Sequence, residues 1–235
     1  LELPIGLVAV ALGTVLLPHL SAMVVQGNPQ RFQRTLNWGI TLGVGLGLPA
    51  AVALYLLAEP LLAVIYLSLP GSAMTVADIQ MAGAALQLFA IALPGFVLVK
   101  IFSPAFFANK DSKTPLRCAV LSLVANLLVG LSTYQWLGHV GLALATAVSA
   151  WVQAFALYAY LVTRKLAGFD KDLGVNLLRV ISASLVMAIL ITVFSADSSA
   201  WLAMATPLRM AMVAAICMGG LLVYLGTLLL LGLRP

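Results

Sequence analysis

Lys100-Ile-Phe-Ser-Pro-Ala-Phe-Phe-Ala-Asn-Lys-Asp-Ser-Lys-Thr-Pro-Leu-Arg117 is the stretch that decides how this chain folds. An apolar run ends at Phe106-Phe107, a cluster of charge follows, and a second apolar run begins at Leu116. Charge lodged between two runs long enough to cross a bilayer is a topological marker, because Lys and Arg resist translocation and stay in the cytoplasm. The same stretch predicts a helix start. Thr114 can cap the free amides, and Pro115 suits the first helical position, where its missing N–H costs nothing.

Composition agrees with that reading. Hydrophobic residues make up 63% of the chain and charged ones 8%, with a mean hydropathy of +1.12, whereas a soluble domain has about 25% charged residues. The chain is therefore an integral membrane protein. Its net charge of +5 sits in short connections between apolar runs, which points to anionic lipid headgroups and away from nucleic acid. Cys118 and Cys217 lie in apolar runs without metal or redox spacing and read as small hydrophobes, so no disulfide is expected. The sequence opens on Leu1, part-way into an apolar run and without a signal peptide, and is expected to be a piece of a longer polypeptide.

A span needs roughly 20 mostly apolar residues. Leu3–Leu20, Leu36–Leu57, Met81–Phe107, Leu116–Leu137, Val140–Val162, Leu177–Phe194 and Leu208–Leu231 meet or approach this, giving about seven spans. All should be helices, since a chain in lipid must satisfy its own backbone and these runs lack barrel-strand alternation. The predicted fold is all-α, a polytopic transmembrane helix bundle. Leu61–Leu69, between Pro60 and Pro70, is too short to span and reads as an interfacial helix.

Arg31 and Arg34 follow the first span, Lys110, Lys113 and Arg117 the third, Arg164, Lys165, Lys171 and Arg179 the fifth, and Arg234 the seventh. The alternate connections hold only Arg209, with Glu59, Asp78, His139 and Asp197. This alternation predicts a cytoplasmic C-terminus. Trp38 marks an inner boundary and Tyr134 and Trp136 an outer one, while Trp151 lies mid-span and fits neither. Thr75-Val-Ala-Asp78 resembles a capping box, and Thr206-Pro207 repeats the Thr-Pro start.

Pro4 and Gly6 weaken the first span, Pro49 follows Gly43, Gly45 and Gly47 in the second, and Pro94-Gly95 interrupts the third. Such breaks suit a cavity or moving gate, and equally suit close helix packing. The Gly43–Gly47 run is no nucleotide loop, having no strand before it and no polar grip after it. Glu2 and Lys100 carry charge where lipid penalises it; Lys100 either snorkels or faces a substrate phosphate. Asn126 and Thr146 can bond across helices or help hold a cation, but no carboxylate stands nearby. No Ser/His/Asp, Cys/His or paired-carboxylate set is present, so no enzyme, metal site or cofactor is expected.

Two stretches carry a resemblance. Glu2-Leu-Pro-Ile-Gly-Leu with Ala11-Leu-Gly-Thr-Val-Leu-Leu-Pro-His-Leu-Ser21, and Phe106-Phe-Ala-Asn-Lys-Asp-Ser-Lys-Thr-Pro115, together resemble the MurJ/MviN lipid II flippases of the multidrug/oligosaccharidyl-lipid/polysaccharide exporter superfamily. That family has fourteen spans, in two six-helix lobes plus two extra helices. The resemblance implies that this chain is spans eight to fourteen, with residues 1–165 the incomplete second lobe and 166–235 the two extra helices with a lipid-tail groove. It implies export of lipid-linked peptidoglycan precursor across the bacterial inner membrane by alternating access, for cell wall biogenesis and cell shape. The partners implied are membrane lipids, that precursor and a missing N-terminal lobe.

By the same resemblance Glu2 faces substrate or cavity, and Lys100 and Asn126, polar groups inside spans, are taken as further candidates for that face. The loop residues Lys110, Asp111, Lys113 and Thr114 also match the family; with Arg117 they are expected to form part of a cytoplasmic gate, and the breaks at Pro4, Gly6, Pro94 and Gly95 to act as hinges. Asn109 departs from the Arg common among relatives. A sister exporter of other lipid-linked glycans or drugs, and a non-transporting scaffold, remain the competing readings. The spans are expected to form a half-shell around a wet vestibule, with Lys113 and Arg209 at opposite ends.

Overall fold

The computed structural model describes residues 6, 11–67, 75–168, 170–195, 201 and 205–232. Among them the helices run in the order α1 (Ala11–Val25), α2 (Pro29–Leu56), α3 (Ala58–Leu67), α4 (Val76–Ala108), α5 (Lys113–Leu137), α6 (His139–Thr163), α7 (Lys171–Phe194) and α8 (Thr206–Leu230). Six are long and apolar enough to cross a membrane, and α1 adds a shorter apolar helix. The expected cavity residue Glu2 and the expected hinge residue Pro4 lie outside the described residues, as do Asp197 and Arg234.

Several helices begin well before their apolar runs, because the helix continues through the headgroup zone that hydropathy does not detect. Asn28 starts α2 by accepting from Arg31 N at 3.1 Å, with Pro29 at the head of the helix. The predicted capping box opens α4: Asp78 N donates to Thr75 Oγ1 at 3.2 Å and Thr75 N donates to Asp78 Oδ2 at 2.9 Å. The interfacial segment is helical over Ala58–Leu67, with Pro60 inside its first turn. Thr206 does not cap α8. The helix starts on it, preceded by Ala205 with no side-chain cap.

α4 is the spine. It packs on α6, α2, α1 and α3; α5 lies behind α6, while α7 packs on α2 and α8 on α7. The long helices thus form a row, α5-α6-α4-α2-α7-α8, with α1 set against α4 and α2. Leu16 and Leu20 of α1, Leu36 of α2, Ile101 and Phe106 of α4 and Leu157 of α6 fill the main core, with Cys118 beside them.

The predicted interruption at Pro94-Gly95 is absent from the backbone, since α4 is continuous through Pro94 and Pro104, and α2 through Pro49. Each proline withholds the N–H that the carbonyl four residues earlier would accept, and such a carbonyl in lipid needs another donor. For Pro49 that carbonyl is Gly45 O, and the Tyr224 hydroxyl of α8 donates to it. In the turn loosened by Pro94, Trp151 Nε1 of α6 donates to Ile91 O at 2.9 Å. This explains a tryptophan in mid-span. Tyr224→Phe should therefore lower stability by about 1–2 kcal/mol, the upper part of the range for interhelical bonds in membranes. Thermal unfolding in detergent measures it, and an unchanged midpoint would mean that Gly45 O finds another donor.

Candidate functional site

A hollow of about 830 Å³ opens between α1, the second half of α4, the start of α5 and α6. Lys100 lines it together with Thr14, Ser103, Ser112 and Gln153, while Phe107 and Leu116 supply apolar wall. Ser103 spends its hydroxyl on Val99 O at 2.8 Å, and Gln153 Oε1 accepts from Ser122 at 3.4 Å. Lys100 is exposed and has no counter-ion among the described residues. α1 crosses close to it, for a methyl group on Gly13 would sit 3.6 Å from Lys100 O. A cation in a concave, largely apolar hollow with a few polar groups can receive an anion without first breaking an ion pair.

The loop beside the hollow is a built structure. α4 ends as Asn109 Nδ2 donates to Ala105 O at 2.8 Å, and Lys110 turns the chain with φ of +58°. Asp111 then caps α5: Lys113 N and Thr114 N both donate to its Oδ1 at 3.0 Å. The cap is thus Asp111 and not Thr114. A carboxylate reaches two amides and carries charge suited to a helix N-terminus, so it outcompetes a hydroxyl. Thr114 lies buried in the first turn and donates its own hydroxyl to Asp111 Oδ2 at 2.6 Å, with Pro115 next to it.

Arg164, at the end of α6, completes the arrangement. Its guanidinium pairs with Asp111 Oδ2, donates to Thr114 Oγ1 at 3.0 Å and lies 5.8 Å from the centre of the Phe106 ring. These bonds hold Asp111 at about 2 against an ordinary 3.8: the Thr114 hydroxyl contributes most, its backbone N–H next, and Arg164 adds to both. Sequence reading used Arg164 only as a topological charge. The one available signal was that Asp111 is the sole acid among the cations of its loop.

The remaining predicted site residues are spread out. Lys110, Lys113 and Arg117 are exposed around the loop. Asn126 is not on the wall of the hollow; it donates to Ser149 Oγ at 3.3 Å across the α5–α6 seam. Thr146 bonds Leu142 O of its own helix at 3.0 Å. Gly6 is exposed, and Pro94 and Gly95 are buried against α6.

The basic connections share one end. Gly27, Asn28, Asn109 and Lys165 line a single pocket, and Arg179 donates to Gly232 O at 3.4 Å, bringing the end of α8 there. At the other end His139 Nε2 lies 3.2 Å from Met81 O. Buried Arg209 donates to Trp201 O at 2.8 Å and Ala63 O at 3.2 Å. Glu59, at the head of the same short α3, packs on Gly83 near the start of α4, while Lys113 follows the end of α4. Lys113 and Arg209 are at opposite ends, as expected.

The family profile described as lipid II flippase MurJ matches residues 1–212. A relative in Vibrio cholerae named probable lipid II flippase MurJ is 32% identical over 100% of this chain and 44% of its own length. One in Burkholderia cenocepacia named lipid II flippase MurJ is 33% identical over 100% of this chain and 45% of its own. The chain therefore spans somewhat under half of these curated relatives. A solved structure titled lipid II flippase MurJ, inward closed conformation, superposes with a TM-score of 0.74 at 24% identity, covering 96% of this chain and 43% of that one. That likeness shows the fold.

Proposed function

This chain belongs to the lipid II flippase MurJ family, and from that premise we propose that it forms the second lobe of a transporter that carries lipid-linked peptidoglycan precursor from the cytoplasmic to the outer leaflet. The observation that carries this reading is Lys100, an unpaired cation on the wall of a hollow of about 830 Å³. In this reading Lys100 receives a substrate phosphate while the complementary lobe closes the other side of the cavity. Transport is alternating access, with the headgroup passing through the cavity and the polyprenyl tail left in lipid.

Residues 1–165 belong to the rocking lobe, and 166–235 to two additional helices beside which the tail runs. The loop from Lys110 to Arg117 acts as a cytoplasmic gate. Pro94 and Gly95, with Pro4 and Gly6, are the points at which the lobe bends; Glu2 and Asn126 serve the cavity face. The protein is a multi-pass transporter of the bacterial inner membrane with its basic end and C-terminus cytoplasmic. Its partners are membrane lipids, the lipid-linked precursor and the complementary lobe.

Translocation of lipid II by the complete protein in proteoliposomes tests this. Lys100→Ala should lower the rate about tenfold, the size of one lost charge-assisted hydrogen bond, while Lys100→Arg retains most of it. Equal rates for the two variants and the wild type would remove Lys100 from the path. The chain by itself should flip nothing, and measurable translocation by it alone would contradict a two-lobe mechanism.

A further inference from the structure

A second polar cavity, of about 540 Å³, lies at the basic end between α2 and the start of α7, and shares no wall residue with the Lys100 hollow. Its size falls in the roughly 300–1,000 Å³ range of small-molecule sites. Arg34, Asn37 and Trp38 face it from α2; Asp170, Lys171 and Asp172 face it from the head of α7. Two cations and two carboxylates thus share one cavity, yet the only ion pair among the described residues is Arg164 with Asp111. Asp170 Oδ2 is taken up by Asn37 Nδ2 at 3.2 Å, leaving Arg34, Lys171 and Asp172 without counter-ions. Asn37 is 8% exposed, and its Oδ1 is buried with no donor.

Opposite charges that line a cavity without meeting are arranged for a guest that carries both. The place also fits a lipid: Trp38 stands half exposed at the boundary level that interfacial tryptophans occupy, and Leu42 and Leu173 give the cavity an apolar side. We infer that this cavity holds the headgroup of an aminophospholipid, a phosphate carrying a primary ammonium. The phosphate lies between Arg34 and Lys171 at the N-terminus of α7, where helix amides favour anions. The ammonium lies toward Asp172 and donates its N–H groups to that carboxylate. A headgroup with phosphate alone would leave Asp172 unanswered, and a quaternary ammonium has no N–H to give.

The test uses the complete protein, stripped and then exposed to an equimolar mixture of phosphatidylethanolamine, phosphatidylglycerol and phosphatidylcholine with matched acyl chains. Native mass spectrometry counts the lipids retained. Phosphatidylethanolamine should exceed each of the others by about tenfold; that preference should disappear in Asp172→Asn, whereas Arg34→Gln should lower retention of all three lipids, which share the phosphate. Equal retention of phosphatidylethanolamine and phosphatidylcholine, preference for phosphatidylglycerol, or displacement of the bound lipid by inorganic pyrophosphate would each overturn the inference. So would a preference that survives Asp172→Asn, or a retention that Arg34→Gln leaves unchanged for every lipid. The comparison of lipid classes on the wild type decides the matter even where a variant does not fold.

Discussion

Gly95→Leu is expected to prevent α4 and α6 from closing on each other and to remove most folded protein from the membrane. A methyl group at Gly95 would already lie 3.2 Å from the Ala150 carbonyl carbon and 3.3 Å from Trp151 N, both backbone atoms that cannot swing aside. Ala92, Ala147 and Ala150 form the dry contact around that point, the small-residue packing that draws helices together where lipid gives no hydrophobic drive. Overpacking ordinarily costs about 1–3 kcal/mol. A leucine pressed against backbone belongs at or above the top of that range, because separating the helices also draws Trp151 off Ile91 O. Gly95→Ala needs a shift of only a few tenths of an ångström and should cost about 1 kcal/mol. Yield and thermal midpoint, measured beside transport by the complete protein, separate packing from bending. If Gly95 acts by packing, Gly95→Ala lowers rate and midpoint together; a hinge would lose rate at an unchanged midpoint.

The sequence carried the spans and the gathering of basic connections at one end, because hydrocarbon thickness and the position of Lys and Arg are properties of composition along the chain. It did not carry helix starts where polar residues continue the helix: α2 begins at Pro29, ahead of the apolar run from Leu36, and α7 at Lys171, ahead of Leu177. Asn28-Pro29 has the residue types of a helix start, a local signal that hydropathy alone passes over. Pro94 looked like a break because its lost hydrogen bond is a local fact, whereas the contacts that hold the helix there, Trp151 on Ile91 O and Ala150 against Gly95, come from another helix. Lys100 was legible as a costly charge, and the hollow that receives it was not, since α1, α5 and α6 contribute its other walls. The capping box at Thr75 and Asp78 was legible in full because both partners fall within one turn. Arg164 shows the limit most clearly. Its partners Asp111 and Thr114 are bonded across 53 and 50 residues of sequence, and no periodicity or motif records that distance.

Asp111→Ala is expected to release the loop between α4 and α5 and to cost about 2–3 kcal/mol. Loss of a helix cap accounts for about 1 kcal/mol. The charge-assisted bonds from Thr114 and Arg164 would add about 1.5–3 kcal/mol if buried, and count for less here because the Arg164 and Asp111 side chains are 44% and 17% exposed. If the gate depends on this loop, transport by the complete protein should fall about 30- to 160-fold, the same free energy read as an equilibrium. Arg164→Ala leaves the cap on α5 and should cost less. Because the two side chains act through one bond network, the double variant should cost little more than Asp111→Ala alone; fully additive costs would show that Arg164 and Asp111 do not work together. The pH dependence follows from the depressed carboxyl. Its value is about 2 when folded against an ordinary 3.8, so its stabilisation is complete above pH 3.8 and is lost as pH falls through 2. Between pH 5 and 8 the difference in thermal midpoint between wild type and Asp111→Asn should stay constant. A difference that shrinks inside that window would mean that another group, and not the Asp111 carboxylate, holds the loop.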